Sequence, residues 1–363
     1  MTPAVLLLIW FAGLLGACVG SFLNVCIFRM PQDHLSVTRP AFSFCPQCNE
    51  TIAWYDNIPI LSWLALRGRC RCCAVQISPR YALVEGLTAF LFVLAVIELG
   101  EPSIAPGNLL AIGFWSILFA VLVVVTFIDI DHRIIPDELS VGGAALAPWA
   151  AWLIPGVPID RLPEPWIGAL GGISLGWIAV GSTAAIALQV GAAVGGGALS
   201  MALFRRYSPS WDGTVRTWWD TRLAGSVGAL VALSLVSTFL VGGWTGSENS
   251  PALLGSLLGM GLGAGSIYAM GVFGKLVFRK DAMGFGDVKL MALLGAVLGA
   301  KFVLLAIFLA CLLGSVFGLI IRACTGSSYM AFGPYLAGGA MILVLWADWV
   351  QKGVDWYMSL LRG

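Results

Sequence analysis

The sequence predicts an all-α polytopic membrane protein with about eight to ten transmembrane helices and one small domain outside the lipid. Of the 363 residues, 59% are hydrophobic and only 11% are charged, and the mean hydropathy of the chain is +0.91. Because an ordinary soluble domain carries about 25% charged residues, that class is excluded. The apolar residues gather in long stretches, and a polar segment rich in cysteine follows the first of them.

The apolar stretches are long enough, or nearly so, to cross about 30 Å of hydrocarbon. The first one begins without the basic leader of a cleaved signal peptide, so we expect a retained first helix. The fifth is too long for a single helix, and the eighth is short and rich in glycine. In order, the stretches lie at 3–28, 82–99, 109–128, 139–155, 166–204, 223–245, 252–278, 286–300, 302–321 and 332–350.

Lysine and arginine in the short loops predict the orientation. The segment 29–81 contains six arginines, whereas the connection 100–108 contains Glu101 and no basic residue. The first segment is therefore predicted to be cytoplasmic and the second to lie outside, which also places the N-terminus outside. Counting helices onward from there places both Asp129 and Asp287 at the cytoplasmic face.

Three parts follow from this organisation. We expect a first transmembrane helix at 1–28, a cytoplasmic zinc-binding domain at 29–81 and a transmembrane domain at 82–363, with an apparent insertion within 156–250. The net charge of +1 gives no indication of a nucleic-acid partner. With only two histidines, His34 and His132, a histidine triad or a three-histidine metal site is not expected.

Two C-x-x-C pairs predict a metal site in the polar segment. Cys45 and Cys48 form the first pair, Cys70 and Cys73 form the second, and 21 residues separate them, slightly more than the usual zinc-ribbon gap of about 15–20. Four thiolates complete a tetrahedral Zn²⁺ shell, which would stabilise the loop but leave no position to activate water. Cys72 is a spare thiol that could compete as a ligand. Unligated thiols and a redox role remain the alternatives.

Asp129 is the first candidate catalytic residue. It ends the apolar run 118–128, and an ionisable group at such a place costs several kcal/mol unless it is paired or faces water, so it is interpreted first as functional. Asp131 and Asp137 are expected further into the aqueous loop. Pro136 and Asp137 are typical of the start of the next helix.

Asp287 is the second candidate, in the sequence Gly284-Phe285-Gly286-Asp287-Val288-Lys289. The glycines at 284 and 286 allow close backbone approach and keep side chains away from a substrate strand. Gly284, Gly286 and Lys289 are therefore assigned to a supporting active-site motif. The pattern is short, and we interpret it as functional because it lies at a second membrane boundary.

Two carboxylates a few ångströms apart cannot both ionise cheaply, so they share a proton. One is then a base for water and the other an acid for the scissile carbonyl, which predicts aspartyl proteolysis at the membrane. A cation- or proton-coupled transporter that uses the same aspartates is the main alternative, but it gives the cysteine pairs no role. A membrane-anchored zinc scaffold is a third hypothesis, and it leaves the aspartates unexplained.

Further motifs surround these residues in a consistent order over 12–137 and 280–321. Together they resemble the type IV prepilin peptidase family, whose members are prepilin leader peptidase/N-methyltransferases. The members of this family are membrane aspartyl proteases of the GxGD type. The motifs are Gly20-Ser21-Phe22-Leu23-Asn24-Val25, Arg29-Met30-Pro31, the four cysteines, Asn57-Ile58-Pro59, Ser62-Trp63, Ile77-Ser78-Pro79-Arg80-Tyr81, Val84-Glu85, the segment 129–137 and the segment 284–289.

The resemblance implies cleavage of the short basic leader of type IV prepilins, or of type II secretion pseudopilins, after a glycine at the cytoplasmic face of the bacterial inner membrane. The family's catalytic aspartates fall on Asp129 and Asp287. The resemblance also implies methylation of the new N-terminus with S-adenosylmethionine, in a region that corresponds to about 20–85. That region contains no G-x-G-x-x-G loop.

Asn24, Arg29, Arg80 and Glu85 are the polar members of the N-terminal motifs, and we assign them to a possible methyltransferase or substrate region. The alternative is that Arg29 and Arg80 only anchor helix ends. Glu85 lies one turn inside an apolar stretch, so we expect one of these arginines as its partner. The chain departs from the family in the longer stretch between the aspartate motifs and in Ala82, where many relatives have proline.

Overall fold

The computed structural model describes residues 2–32, 36–38, 42–45, 47–99, 106–154, 157, 250–279, 283–326, 330–346 and short pieces of 349–360. Within these ranges the regular structure is helical, with two isolated antiparallel β-bridges and no strand. The predicted all-α fold is confirmed. The apolar stretches predicted at 166–204 and 223–245, and nearly all of the apparent insertion within 156–250, lie outside the described residues.

The helices follow the predicted apolar stretches, and their ends have local causes. Thr2 caps the first helix by accepting a hydrogen bond from the backbone N–H of Val5 (3.4 Å), and Pro3 occupies its first turn. Gly299, with φ of 84°, separates two consecutive helices. The helices are α1 (Pro3–Arg29), α2 (Leu61–Ala65), α3 (Arg80–Leu99), α4 (Pro106–His132), α5 (Asp137–Leu153), α6 (Ser250–Phe278), α7 (Phe285–Leu298), α8 (Ala300–Thr325) and α9 (Gly333–Leu345).

Five helices of the described part of the chain are long and apolar enough to cross a membrane. The shorter apolar helix Gly333–Leu345 accompanies them. The chain is therefore a multi-pass membrane protein, and the predicted total of eight to ten crossings includes stretches beyond the described residues. The five segments are Pro3–Arg29, Arg80–Glu98, Asn108–His132, Gly255–Val277 and Ala300–Cys324.

The chain divides into two compact units, and the first contains Met1–Pro136 and Tyr329–Gly363. In this unit α1 packs along α3, while α4 contacts α1, α3 and α9. Small residues allow this approach, because a Cβ on Gly16 or Gly20 would lie 2.7 Å from a backbone Cα of α3. Backbones that approach so closely are typical of helix pairs in membranes.

The second unit contains Asp137–Ser328. Its central helix is α7, which packs against α5, α6 and α8. The side chains of α7 from Val288 onward are mostly buried, and Leu290, Met291 and Leu294 are fully buried. Where α6 and α7 cross, a Cβ on Gly259 or Gly295 would overlap the carbonyl oxygen of the other glycine. This tight crossing fixes the helix that begins beside Asp287.

Candidate active site and metal centre

The four predicted cysteines come together in the first unit. The Sγ atoms of Cys45, Cys48, Cys70 and Cys73 all lie within 4.8 Å of one another. Cys72 is exposed and is not one of these four, although its side chain makes a hydrogen bond with that of Cys48. The donor set is therefore four sulfurs from two C-x-x-C pairs, which is the set that a structural Zn²⁺ prefers.

The two pairs lie on turns of the same design. In the first, the N–H of Cys45 donates to Glu50 O (2.9 Å), and the N–H of Asn49 donates back to Cys45 O (2.8 Å). The second turn repeats both bonds, with Cys70, Ala74 and Val75 at the equivalent positions and distances of 2.9 and 3.0 Å. Asn49 and Ala74 both have positive φ, and each turn is closed by an isolated antiparallel bridge, Phe44 with Thr51 and Arg69 with Gln76.

The pKa of Cys45 is lowered, whereas for Cys48 and Cys73 the lowering effect of a backbone hydrogen bond is outweighed by burial and by neighbouring thiols, so their pKa values are raised. A hydrogen bond from the backbone N–H of Cys48 is the main reason that the pKa of Cys45 falls to about 7, although burial acts in the opposite direction. A lower pKa favours the thiolate, which is the form that binds metal. The cysteine cluster therefore fits Zn²⁺ in both donor chemistry and geometry, and a shell of four sulfurs would leave no open position for catalysis.

Arg29 ties the end of α1 to the segment 30–79 between α1 and α3, which we call the cysteine loop. Its guanidinium donates to the carbonyl oxygens of Val37 (3.1 Å) and Phe42 (3.2 Å) and lies 5.8 Å from the centre of the Phe44 ring. At 4% exposure the residue is buried. A further brace is formed on the loop surface by Arg71 and Asp56 (2.6 Å), and the hydrogen bond from Arg71 lowers the pKa of Asp56.

The prediction of an arginine partner for Glu85 is wrong. Glu85 Oε2 instead accepts a hydrogen bond from the backbone N–H of Ile60 (2.7 Å), where the chain has a positive φ of 62°. A backbone donor in a sharp turn satisfies the carboxylate without a full countercharge. Asn24 makes a similar link, since its side-chain amide donates to Tyr81 O (3.0 Å).

Arg80 fastens the start of α3 to the end of α4. Its Nη1 donates to both oxygens of Asp131 (2.6 and 2.8 Å), its Nη2 donates to Phe127 O (3.2 Å), and the guanidinium lies 4.7 Å from the centre of the Phe127 ring. A cation that binds the last carbonyls of a helix also stabilises the helix dipole. Arg80 therefore holds the turn that carries Asp129.

Asp129 is buried, with 6% of its surface exposed, and lies one turn before the end of α4. Its Oδ2 accepts a hydrogen bond from the backbone N–H of Gly333 (2.9 Å), at the first residue of α9. Asp131 was expected in the aqueous loop, but α4 continues to His132 and includes it. The helix continues because no residue before Arg133 breaks it, and Arg133 then leaves it with φ of 58°.

Gly333 is a functional candidate that the sequence analysis did not identify. The available signal was the Gly333-Pro334 dipeptide at the start of an apolar stretch, since proline favours the first turn of a helix. Nothing in the sequence alone brings this residue to Asp129, which is 204 positions away.

Asp287 lies in the first turn of α7, with 9% of its surface exposed. Two residues later, Lys289 Nζ donates to Asp137 Oδ1 (2.5 Å) at the first residue of α5 and lies 5.1 Å from the centre of the Phe285 ring. A Cβ on Gly284 would lie 3.6 Å from Asp287 Oδ2, which is an ordinary contact. Internal packing therefore does not require a glycine at position 284. Its role in substrate access stays a prediction.

The structure thus places both predicted acids in buried positions at helix ends. Asp129 belongs to the first unit and Asp287 to the second. The start of α5, with Asp137, confirms the helix boundary predicted at Pro136 and Asp137.

Two family profiles match the chain. Residues 14–99 match the profile described as Bacterial Peptidase A24 N-terminal domain, and residues 226–319 match the Type IV leader peptidase family. The first range contains the four cysteines, and the second contains Asp287. A comparison with solved structures gives no match.

Several relatives that match the chain are named prepilin leader peptidase/N-methyltransferase. The chain is 29% identical to a prepilin leader peptidase/N-methyltransferase of Aeromonas salmonicida (strain A449) over 94% of its own length and 91% of the relative. It is 27% identical to the Neisseria gonorrhoeae protein of that name, over 96% and 94%. A match of 48% identity to the Myxococcus xanthus protein spans 37% of each chain. Nothing in these comparisons supports a transporter.

Proposed function

Because the chain belongs to the type IV leader peptidase family, we propose that it is a prepilin leader peptidase that removes the basic leader of type IV prepilins or pseudopilins. The enzyme is an aspartic endopeptidase of the membrane, and N-methylation of the new N-terminus is its second activity. The observation that carries the proposal is a pair of buried aspartates, 6% and 9% exposed, at helix ends in a chain of this family.

In the proposed mechanism, Asp129 and Asp287 meet and share one proton. The ionised carboxylate takes a proton from water as the water attacks the scissile carbonyl, and the protonated partner gives its proton to the carbonyl oxygen. No covalent intermediate is needed. Because the two groups interact, they titrate as a pair.

The cysteine cluster supports a structural role for Zn²⁺ in this enzyme. The residues that would hold it are Cys45, Cys48, Cys70 and Cys73. The ion would stabilise the cytoplasmic loop proposed at 29–81, between the first transmembrane helix at 1–28 and the peptidase domain proposed at 82–363. No step of the peptidase reaction passes through the metal.

The proposed location is the bacterial inner membrane, with lipid around the apolar helices, the N-terminus outside, and the cysteine loop and both aspartates at the cytoplasmic face. One contact within the first unit supports a common face for the loop and Asp129. The Arg80–Asp131 pair joins the start of α3 to the end of α4 (2.6 Å), and the cysteine loop runs directly into that start of α3.

S-adenosylmethionine is the proposed methyl donor. The four residues assigned to a methyltransferase or substrate region, Asn24, Arg29, Arg80 and Glu85, all make hydrogen bonds to the protein itself. Those bonds support bracing roles around the cysteine loop. They do not outline a donor site, so no step of methylation is assigned to them.

The test uses the purified full-length protein in detergent with a prepilin substrate. Asp129→Asn and Asp287→Asn are each expected to lower the cleavage rate by about 1,000-fold, because the dyad loses its shared proton. Asp129→Asn keeps a side-chain oxygen that can accept from Gly333 N–H, so this variant should still fold.

Glu138→Gln is the matched control, since Glu138 is an exposed acid of α5. It should cleave like wild type. Mass spectrometry of the product reports the cut position and the mass of one added methyl group. Cleavage at the wild-type rate by either aspartate variant would show that the dyad assignment is wrong.

A further inference from the structure

The contact between Asp129 and α9 has no role in the function proposed so far. Gly333 N–H donates to Asp129 Oδ2 at 2.9 Å, and the bond is buried. It joins α4 and α9, which pack together in the same unit. A buried hydrogen bond to a carboxylate fixes the direction of the side chain, so the bond bears directly on the orientation of a proposed catalytic group.

A side chain at position 333 would occupy the place of the Asp129 carboxylate. A Cβ on Gly333 would lie 2.6 Å from Oδ2 of Asp129 and 3.1 Å from its Cγ. Among the glycines of the first unit that the structure describes, Gly333 is the one whose Cβ would meet the Asp129 carboxylate. Any other L-residue must therefore push the carboxylate away or move α9.

The bond also completes the start of α9. Phe332 occupies the N-cap position and makes no side-chain capping bond. The first N–H groups of a helix have no partner within the helix. The carboxylate of Asp129, which belongs to α4, accepts a hydrogen bond from one of these N–H groups. The positive end of the α9 dipole also favours a negative group at this helix start. This arrangement joins the fold of α9 to the position of Asp129.

We propose that Gly333 is a positioning residue for the peptidase reaction, which rests on the function proposed above. Its N–H holds Oδ2 of Asp129, and its missing side chain leaves room for the carboxylate. Oδ1 is then the oxygen of Asp129 that remains available for the reaction. A catalytic group that is displaced by about 1 Å can lose about 100-fold in rate, so this contact sets the rate of cleavage.

The test is Gly333→Ala in the full-length enzyme, with kcat, KM and thermal stability measured on a prepilin substrate. The expected kcat is about 100-fold lower, because the new methyl group displaces the Asp129 carboxylate. KM should stay close to wild type, because Gly333 is not assigned to substrate binding. A purely structural role would instead lower stability and leave the kcat of the folded protein unchanged.

Two alanine variants are matched controls in the same unit. Gly16→Ala brings a Cβ to 2.7 Å from the backbone of Ala89, so it crowds a helix pair without touching Asp129. Gly113→Ala lies on α4 itself, where a Cβ meets nothing within 4 Å. The first should lower stability while the folded fraction keeps its kcat, and the second should lower neither stability nor kcat.

A second change removes only the hydrogen bond. Replacing Gly333 with glycolic acid turns its amide into an ester, which removes the N–H and adds no side chain. The expected kcat is about 10-fold lower, since a hydrogen bond to a charged group is lost. This variant decides the matter if Gly333→Ala does not fold.

The outcomes separate this inference from the proposed function. A kcat near wild type for Gly333→Ala or for the ester, while Asp129→Asn is inactive, would overturn the positioning role alone. An equal loss of kcat in Gly16→Ala would also overturn it. If Asp129→Asn itself cleaves normally, the proposed dyad fails.

Discussion

At the scale of single residues, the candidate acids are surrounded by partners that the protein supplies from other helices. Lys289 is the clearest case in the second unit, because its ion pair with Asp137 joins the first turn of α7 to the start of α5. The side chains are 12% and 32% exposed. Partial burial makes such a pair matter more than a surface pair, since removing one partner leaves a charge with less water around it.

A double-mutant cycle tests this pair. Lys289→Met and Asp137→Asn should each lower the free energy of unfolding by about 1–2 kcal/mol, between the ranges typical of surface and buried pairs. The double variant should lose less than the sum of the two. Denaturant titration in detergent measures all four proteins.

The Arg71–Asp56 pair is the control for that cycle. It has a similar N–O distance of 2.6 Å, with the Arg71 side chain 61% exposed and the Asp56 side chain 10% exposed. Because water surrounds the Arg71 guanidinium, the coupling between Arg71→Met and Asp56→Asn should be smaller than that between Lys289→Met and Asp137→Asn. Equal coupling in the two cycles, or additive losses for Lys289 and Asp137, would contradict a brace beside Asp287.

At the scale of elements, the cysteine loop is built from two equivalent turns, and each places two sulfurs toward one centre. Metal binding and folding of such a loop are coupled, because the thiolates would repel one another without the ion. Loss of a single ligand should therefore affect the whole loop, including its links to α1 through Arg29 and to α3 through Glu85.

Cys45→Ser and Cys70→Ser are expected to lose most of the bound zinc and to lower the melting temperature. Each variant removes one sulfur from a shell of four, and each is in a different turn. Elemental analysis of the purified protein measures zinc per chain. Cys72→Ser is the control, because Cys72 lies outside the group of four and should keep both properties. An unchanged zinc content in both Cys45→Ser and Cys70→Ser would contradict the prediction that these cysteines hold a structural zinc ion.

The elements also show how far sequence reasoning extends. Hydropathy predicted the helix positions, since a bilayer leaves few alternatives for a long apolar stretch, and C-x-x-C spacing predicted which four cysteines come together. The partner of Glu85 was not predictable, because it is a backbone N–H made available by the positive φ of Ile60. The extension of α4 past Asp129 was missed for a similar reason, since the helix ends only where Arg133 changes its backbone conformation.

Contacts between distant segments were the least accessible from sequence. Gly333 meets Asp129 across 204 positions, and Lys289 meets Asp137 across 152. Neither pair has a periodicity or a motif that links its two members. Their distance in the chain means that only the packing of α9 on α4, and of α7 on α5, brings them together.

At the scale of the whole molecule, the first unit gives a consistent membrane orientation. α1 leads into the cysteine loop, which leads into α3, and Arg80 at the start of α3 pairs with Asp131 at the end of α4. These three helix ends therefore lie on one side of the membrane if α1, α3 and α4 all cross it. The six arginines of 29–81 predict that this side is the cytoplasmic one.

Cys72 allows this orientation to be measured in the native chain, because its thiol is exposed on the cysteine loop. In intact spheroplasts, a membrane-impermeant maleimide should not label Cys72, and labelling should begin only after permeabilisation. The difference between wild type and Cys72→Ser isolates this thiol from the other cysteines. Glu101→Cys in the Cys72→Ser background is the opposite control, since the connection 100–108 is predicted to lie outside and should be labelled without permeabilisation. Labelling of Cys72 in intact spheroplasts would place the loop and Asp129 on the outer face, where a prepilin leader retained in the cytoplasm could not reach them.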